Sequence, residues 1–365
     1  ANGDWSSDVC SSDLENEKRL RKLCRELPDF CREFFRGIEP TTSSRTRIAY
    51  GYDLRIFFRF LEEEYPDLED GPVKSWPVTV LDKITLTQLE EYLDYIKLYE
   101  DPDNKIHTNE ERGRMRKAAS IRSFYKFFYR KQKIKNNPAS LLNLPKKHEQ
   151  AIIRLEVDEI AKLLDSVENG DKLTKTQQKY HNKTKSRDLA MLTLLLGTGI
   201  RVSECVGLDI QDLDFETNGM KIHRKGGAEV ILYFGDEVRE ALLDYLDERE
   251  LITAKEGSED ALFLSMQRNR ISVRAVENLV KKYSRTVTTL KNITPHKLRS
   301  TYGTQLYKET GDIYLVADVL GHKDVNTTRK HYAAIEDERR RRAAGKVKLR
   351  ETGNSAKDHH LGEGI

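Results

Sequence analysis

Six polar side chains in the second half of the sequence are of types that can break and reform a phosphodiester bond. In chain order they are Arg201, Lys225, His296, Arg299, His322 and Tyr332. A tyrosine supplies a phenolic oxygen that can attack a phosphorus atom in line with a leaving oxygen. An arginine guanidinium stays charged and matches phosphate oxygens bidentately. These residue types predict a transesterification of a phosphate diester with Tyr332 as the nucleophile.

The two arginines are the predicted clamp for the phosphate group. Negative charge builds up on the non-bridging oxygens in the transition state, where Arg201 and Arg299 would stabilise it. Removing one such preorganised donor typically costs ~3–4 kcal/mol of transition-state stabilisation. Glu204, one helical turn after Arg201, is predicted to orient that arginine through an ion pair. The neighbouring Cys205 is predicted to be a small core residue.

The remaining residues are candidates for proton transfer and hydrogen bonding. Lys225, at the tip of a predicted hairpin, would protonate the leaving oxygen as a general acid. His296 lies three residues before Arg299, which puts both on one face of a helix and would let His296 assist Tyr332 in acid–base chemistry. His322 would add a hydrogen bond to the phosphate. The hairpin also contains, as alternatives to the lysine at its tip, Lys221, His223 and Arg224.

The same set of residues bears on the need for a cofactor. Two arginines, a lysine and histidine donors can take the place of a metal ion, and no Asp/Glu cluster suited to two-metal chemistry is visible in the sequence. A covalent tyrosyl intermediate conserves the energy of the phosphodiester bond, so ATP is not required. We therefore expect no metal and no cofactor.

The 365-residue chain has a formal net charge of only +3, but its charges are segregated. Residues 101–150 contain 13 lysines and arginines against five acidic residues, whereas residues 236–260 contain ten acidic residues against three basic ones. A basic face favours a polyanionic partner. The candidate DNA contacts in the N-terminal half are Arg112, Arg114, Arg116, Lys117 and Arg122. The candidates in the second half are Arg268, Arg270, Arg274, Lys281 and Lys282.

The composition argues against several other classes of protein. The sequence has no run of 18 or more apolar residues, so we expect no transmembrane helix and no membrane partner. The four cysteines lack the spacing of zinc ligands or of a disulfide framework. The expectation is a soluble, cytoplasmic protein.

The elements that position the six residues fall into two predicted regions. The helices predicted from hydrophobic periodicity span 41–64, 85–99, 109–133, 157–167 and 188–196. The first three indicate a helical bundle, and a linker near 138–147 separates them from the rest. Residues 220–234 are predicted to form a hairpin, because a Lys-Gly-Gly turn precedes a β-rich run. The predicted fold class is mainly α with a small β-sheet.

Two short motifs flank the predicted catalytic residues. They are Thr-Gly-Ile-Arg-Val-Ser-Glu at 198–204 and Leu-Gly-His at 320–322. The order Arg…Lys…His-x-x-Arg…His…Tyr with these flanks resembles the catalytic signature of the tyrosine recombinase (phage integrase-like) family. The resemblance covers 40–344. It is strongest to single-chain Xer-type recombinases and to mobile-element integrases of Gram-positive bacteria.

The resemblance implies a division of the chain into domains. Residues 15–145 would form a helical core-binding (SAM-like) DNA-binding domain, and residues 146–350 an α/β tyrosine-recombinase catalytic domain. Residues 1–14 match nothing that follows and are expected to be a non-native leader. Residues 351–365 are expected to be a disordered tail.

The resemblance also implies an activity and partners. Family members cleave and rejoin double-stranded DNA at specific sites through a 3′-phosphotyrosyl intermediate, and they assemble as a tetramer on paired sites. Two biological roles stay open. One is the resolution of chromosome dimers with a septal DNA translocase as partner. The other is the integration and excision of a mobile element with an excision directionality factor.

Two functions of other classes also stay open. A catalytically silent, sequence-specific DNA-binding protein would act architecturally, although the presence of all six catalytic residue types argues against it. A type IB topoisomerase would share the phosphotyrosine chemistry, and relaxation of a plasmid without a cognate site would favour it.

Overall fold

Helices dominate the computed structural model, which describes residues 11–144, 153–224 and 228–322. The chain divides into two units, Ala1–Glu149 and Gln150–Ile365. The expected fold class, mainly α with small sheets, is confirmed. None of the helices in the described ranges has the length and apolarity needed to cross a membrane.

The first unit is a helical bundle with one small hairpin. Its helices are α1 Ser11–Leu23, α2 Cys31–Ile38, α3 Ser44–Glu64, α4 Val80–Lys83, α5 Leu86–Tyr95 and α6 Glu111–Arg130. Its strands are β1 Leu98–Glu100 and β2 Ile106–Thr108, which pair antiparallel. Sequence periodicity did not indicate this hairpin, because each strand is only three residues long and exposes its apolar side chains.

Local sequence explains where the helices of the bundle begin. The Ser43 side chain accepts a hydrogen bond from the Thr46 N–H and so caps α3. Thr85 and Gln88 form a reciprocal capping box at the start of α5. Each cap satisfies N–H groups that have no partner within the helix.

An aromatic cluster forms the centre of the bundle. Phe34 and Phe124 pack edge-to-face with ring centroids 5.1 Å apart, and Phe128 lies 5.1 Å from Phe124 at a similar angle. Edge-to-face pairs of this kind add to the stabilisation from burial alone. The aromatic residues at 124–129 were expected to be core rather than base-stacking groups. Phe124, Tyr125 and Phe128 are indeed fully buried, while Tyr129 is half-exposed.

The second unit surrounds one apolar helix. Its helices are α7 Val157–Asn169, α8 Lys175–His181, α9 Lys185–Thr198, α10 Val202–Gly207, α11 Asp236–Glu250, α12 Val273–Val287, α13 Pro295–Thr310 and α14 Ile313–Val319. Helix α9 lies centrally and packs against α7, α11 and α13. Its residues from Ala190 to Leu195 are almost entirely buried. The polar stretch at 168–185 contains α8, which begins at a Thr174 capping box.

A three-stranded antiparallel sheet completes this unit. Its strands are β3 Leu213–Asp214, β4 Gly219–His223 and β5 Glu229–Tyr233, in the order β3-β4-β5. The predicted hairpin at 220–234 is present, with Met220 opposite Leu232 and His223 opposite Glu229. Alternation of buried and exposed residues along β4 places Met220 and Ile222 in the core. Strand β4 ends at His223, and Arg224 follows it.

Candidate active site

A glycine in the left-handed conformation positions Arg201, the first of the two predicted phosphate-binding arginines. Helix α9 ends at Gly199, whose φ is +62°. A Cβ atom at Gly199 would lie 2.4 Å from Tyr302 Cδ1, so both the backbone conformation and the close approach require glycine. The chain then turns, and Arg201 becomes the N-cap residue of α10.

Glu204 fixes the orientation of Arg201, as predicted. Its Oε1 accepts a hydrogen bond from Arg201 Nη1 at 2.6 Å, and its Oε2 accepts one from the Arg201 backbone N–H at 2.9 Å. The Glu204 side chain is 5% exposed, whereas that of Arg201 is 38% exposed. The ion pair thus anchors a guanidinium that still reaches solvent. Cys205 is fully buried, which confirms it as a core residue, and burial raises the pKa of its thiol to about 12.

The second arginine comes from α13 and is buried. Helix α13 starts with Pro295 in its first turn, and His296 and Arg299 follow at a spacing of three residues. Arg299 is 5% exposed. Its Nη1 donates to the Gly199 carbonyl and its Nη2 to the Leu320 carbonyl. His296 is exposed.

The two arginines meet at the C-terminal end of α14. Arg201 Nη2 donates to the Gly321 carbonyl at 3.0 Å and to the Leu320 carbonyl at 3.4 Å, so Leu320 is shared with Arg299. The end of a helix presents carbonyl groups without partners and carries a partial negative charge. These carbonyl groups therefore stabilise two cations at one place.

His322 is held at the same turn. The His322 N–H bonds to the Ala317 carbonyl and the Gly321 N–H to the Asp318 carbonyl, both at 2.8 Å. With φ of +58° at Gly321, this is a Schellman motif, which terminates α14. The Leu-Gly-His motif thus places a half-buried histidine two residues after Leu320, whose carbonyl both arginines share.

The β4–β5 hairpin also reaches this turn. Arg224 Nη2 donates to the Val319 carbonyl at 2.9 Å. From the sequence, Arg224 was one of three alternatives to Lys225, and its basic character beside that lysine was the one available signal. The alternatives Lys221 and His223 both contact Glu229, at 3.1 Å and 3.4 Å.

Two of the six predicted catalytic residues, Lys225 and Tyr332, lie outside the described residues. Of the other four, the structure brings Arg201, Arg299 and His322 to one turn. His296 lies on the first turn of the helix that carries Arg299. Two guanidinium groups fixed in advance beside a histidine form a site suited to an oxyanion such as a phosphate. No group of three or more His, Cys, Asp or Glu side chains suited to a metal occurs in the described ranges.

Three of the predicted DNA contacts of the first unit, namely Arg116, Lys117 and Arg122, form hydrogen bonds with other residues of the protein. Arg116 pairs bidentately with the buried Asp53, and Lys117 is buried with its Nζ 2.7 Å from Asn109 Oδ1. Arg122 Nε donates to the Ala139 carbonyl at 3.2 Å, and its Nη2 donates to the Leu142 carbonyl.

Arg112 and Arg114 differ in exposure. Arg112 is exposed and Arg114 is half-buried.

Burial lowers the pKa of the Lys117 ammonium, and the nearby Asp53 carboxylate opposes this shift. As DNA contacts, the five residues of α6 stay a prediction.

In the second unit, two predicted DNA contacts are tied to the protein itself. Arg270 donates to the Leu208 carbonyl at 2.9 Å and pairs with Asp209. Lys282 lies 3.3 Å from the buried Asp188. Burial lowers the pKa of the Lys282 ammonium, opposed by Asp188.

The other three predicted contacts of this unit are exposed. Arg268 and Lys281 lie at the surface, and Arg274 pairs there with Glu277 at 3.1 Å. Exposed cations of this kind are the better placed to reach a phosphate backbone. All five residues of this group stay predictions.

Comparisons with known proteins show the family of the chain. A model of the phage integrase family matches residues 154–339. The chain is 33% identical over 318 residues to a tyrosine recombinase XerC of Caldanaerobacter subterraneus subsp. tengcongensis, covering 84% of this chain and 82% of the relative. It is 30% identical over 295 residues to a tyrosine recombinase XerD of Oceanobacillus iheyensis, covering 80% and 89%.

Solved structures share the fold. The XerH site-specific recombinase bound to palindromic difH substrate aligns with a TM-score of 0.65 at 19% identity, covering 93% of this chain and 90% of that one. A Tn1549 transposon integrase in complex with a circular intermediate DNA aligns with a TM-score of 0.58 at 20% identity, covering 85% and 98%.

The organisms of the relatives test the expected link to Gram-positive bacteria. A tyrosine recombinase XerC of Leptospira interrogans is also among them, at 28% identity over 301 residues. The expected link to Gram-positive bacteria is not confirmed. Sequence motifs, the family match and the fold nevertheless agree with one another. The chain belongs to the phage integrase family, the tyrosine recombinases that carry out DNA strand exchange.

Proposed function

We propose that the chain is an active, site-specific recombinase that cleaves DNA with Tyr332 and rejoins it through a 3′-phosphotyrosyl intermediate. The observation that carries this proposal is the convergence of Arg201 and Arg299 on the Leu320 carbonyl, two residues before His322. Two preorganised cations at one place fit a single scissile phosphate.

Each proposed role follows from the charge that the reaction creates. The phenolic oxygen of Tyr332 forms a bond to phosphorus, while the bond from phosphorus to the 5′ oxygen breaks. Arg201 and Arg299 bind the non-bridging oxygens, on which negative charge accumulates. His322 donates a further hydrogen bond to one of these oxygens.

Proton transfer completes the step. His296 assists removal of the phenolic proton of Tyr332, and Lys225 donates a proton to the departing 5′ oxygen. The reverse reaction, with a 5′ hydroxyl of another strand as the nucleophile, releases Tyr332 and restores a phosphodiester. One phosphoester bond is exchanged for another in each step, so the bond energy is retained.

The proposed partner is double-stranded DNA. The XerH structure contains its difH substrate, and a lambda integrase dimer of the same fold is bound to a COC′ core site. We expect residues 15–145 to act as the core-binding domain and residues 146–350 as the catalytic domain, in the cytoplasm. Strand exchange requires paired sites, on which a tetramer would assemble. Either a septal DNA translocase or an excision directionality factor would then set the biological role.

Nicked suicide duplexes that carry candidate sites test the proposal. Wild type and Tyr332→Phe are incubated with them side by side, and covalent adducts are resolved on denaturing gels. An adduct with wild type alone would support Tyr332 as the nucleophile and locate the cleaved site. An adduct with both proteins would move the nucleophile to another tyrosine. Specific binding without any adduct would instead favour the catalytically silent, architectural function.

A further inference from the structure

Arg224 is a basic residue whose contacts the proposed mechanism does not use. It is the last described residue of the hairpin before the tip, and its backbone N–H bonds to the Ala228 carbonyl at 2.8 Å. Its side chain leaves the hairpin and donates from Nη2 to the Val319 carbonyl at 2.9 Å. The residue therefore joins the hairpin to the C-terminal end of α14.

The contact with α14 also depends on a glycine. A Cβ atom at Gly321 would lie 2.2 Å from Arg224 Nη1 and 2.5 Å from its Cζ. The guanidinium thus occupies the space that a side chain at position 321 would need. Gly321 serves two purposes, since its φ of +58° also ends the helix.

Three consecutive carbonyl groups at this turn accept hydrogen bonds from three arginines. Val319 accepts from Arg224, Leu320 from both Arg201 and Arg299, and Gly321 from Arg201. The turn is consequently a common anchor for the predicted phosphate clamp and for the hairpin. A shift of Arg224 would move the hairpin relative to that clamp.

We propose that Arg224 is a positioning residue that fixes the hairpin, and with it the general acid, relative to the phosphate held by Arg201 and Arg299. The inference rests on the proposed function, because it takes Lys225 as that acid. Lys225 directly follows Arg224 in the chain, and consecutive Cα atoms are only about 3.8 Å apart. Anchoring Arg224 therefore restricts where the next residue can be.

A substrate with sulfur at the bridging 5′ position distinguishes positioning of the acid from a general structural role. A thiolate leaves with the electron pair of the broken P–S bond and needs no proton from the enzyme. Arg224→Ala is expected to slow cleavage of the ordinary phosphodiester by about 10²-fold, the size of a lost general acid. The same variant is expected to cleave the 5′-phosphorothiolate at nearly the wild-type rate.

Three variants of the same hairpin complete the experiment. Lys225→Ala should show the same rescue, which tests the proposed function independently. Arg224→Lys, which can still donate to the Val319 carbonyl, should retain part of the activity on the ordinary substrate. Ile231→Ala is the matched control, because Ile231 is an exposed, uncharged residue of β5 in the same hairpin, and it should cleave both substrates as wild type does.

The outcomes separate two kinds of failure. If Lys225→Ala is rescued but Arg224→Ala is impaired equally on both substrates, Arg224 does not position the acid and the inference is wrong. Wild-type activity of Arg224→Ala on the ordinary substrate would overturn it as well. If Lys225→Ala is not rescued, the acid has been misassigned, and both the proposed role of Lys225 and the inference fall.

Discussion

The bundle unit and the unit with the three-stranded sheet each contain a polar cluster built on arginine, but the arginines have different acceptors. In the bundle, Arg116 pairs with Asp53, a fully buried carboxylate that also accepts a hydrogen bond from Ser120. In the other unit, Arg201 and Arg299 share the Leu320 carbonyl at the end of a helix, and Arg201 also pairs with Glu204.

The acceptor decides what the arginine does. A buried carboxylate needs a cation, so Arg116 is tied to the stability of the bundle although its own side chain is 49% exposed. Carbonyl groups at a helix end orient a guanidinium while carrying only a partial charge. A guanidinium held by carbonyl groups is not neutralised by them, so it can still bind a phosphate. Loss of Arg116 should therefore affect stability alone, whereas loss of Arg201 or Arg299 should also slow DNA cleavage.

The largest effect is expected for Arg201→Ala. Its rate of DNA cleavage should fall about 10²–10³-fold, as for other preorganised donors in a transition state. The midpoint of unfolding should fall as well, because the 5% exposed Glu204 would lose its cation, so the rate is compared per amount of folded protein. Single-turnover cleavage of a suicide duplex measures the rate, with Lys126→Ala on the surface of α6 as the control. A loss of folded protein that accounts for the lost activity would make Arg201 a structural residue.

Arg116→Ala should affect the free energy of unfolding instead. Without its partner, Asp53 would be left as a buried charge, and breaking such a pair costs roughly 3 kcal/mol. Denaturant unfolding of the full chain, followed through the buried Trp76 of the same unit, measures the change. Unchanged stability together with weaker DNA binding would restore Arg116 as a DNA contact.

Gly199→Ala should lower both the stability and the rate of DNA cleavage, each by less than the arginine variants do. A non-glycine residue at positive φ costs on the order of 1–3 kcal/mol, and the new Cβ would also collide with Tyr302. Because the Gly199 carbonyl binds Arg299, cleavage should fall as well. Gly257→Ala is the matched control, since Gly257 has φ of +78° but no atom within 4 Å of its added Cβ. Equal stability and activity of the two variants would count against this account.

The smallest effect concerns pH. Burial raises the pKa of Asp53, although Ser120 and Arg116 oppose the shift. A raised pKa means that the native state binds the proton more tightly than the unfolded state, so this group favours folding below the ordinary value. That contribution is lost as pH rises through the native pKa. The stability of wild type relative to Asp53→Asn should therefore fall with rising pH, measured by denaturant unfolding. A relative stability that rises instead would place the native pKa below the ordinary value.

The order of residue types along the chain picked out Arg201 and Arg299, which the fold brings to one turn, because a motif is a property of the sequence. The hairpin at 220–234 and the helix around Ala190 were also predictable from local sequence, the first from its turn and β-rich run and the second from its apolar residues. The partner of Arg201 was predictable because Glu204 lies in the next helical turn.

Long-range partners could not be predicted in this way. Asp53 precedes Arg116 by 63 residues, and Asp188 precedes Lys282 by 94. Composition alone does not distinguish a lysine or arginine that meets such a partner from one that faces DNA. The link from Arg224 to Val319 was missed for the same reason, because the fold brings together residues 95 positions apart.

Replacing a charged non-bridging oxygen of the scissile phosphate by a methyl group tests the central claim most directly, namely that Arg201 and Arg299 act on one phosphate. The neutral methylphosphonate needs less stabilisation by cations. We predict that the cleavage defects of Arg201→Ala and Arg299→Ala, measured relative to wild type, become much smaller on the methylphosphonate duplex than on the phosphate duplex. Defects of equal size on both substrates would contradict the assignment of these two arginines as the phosphate clamp.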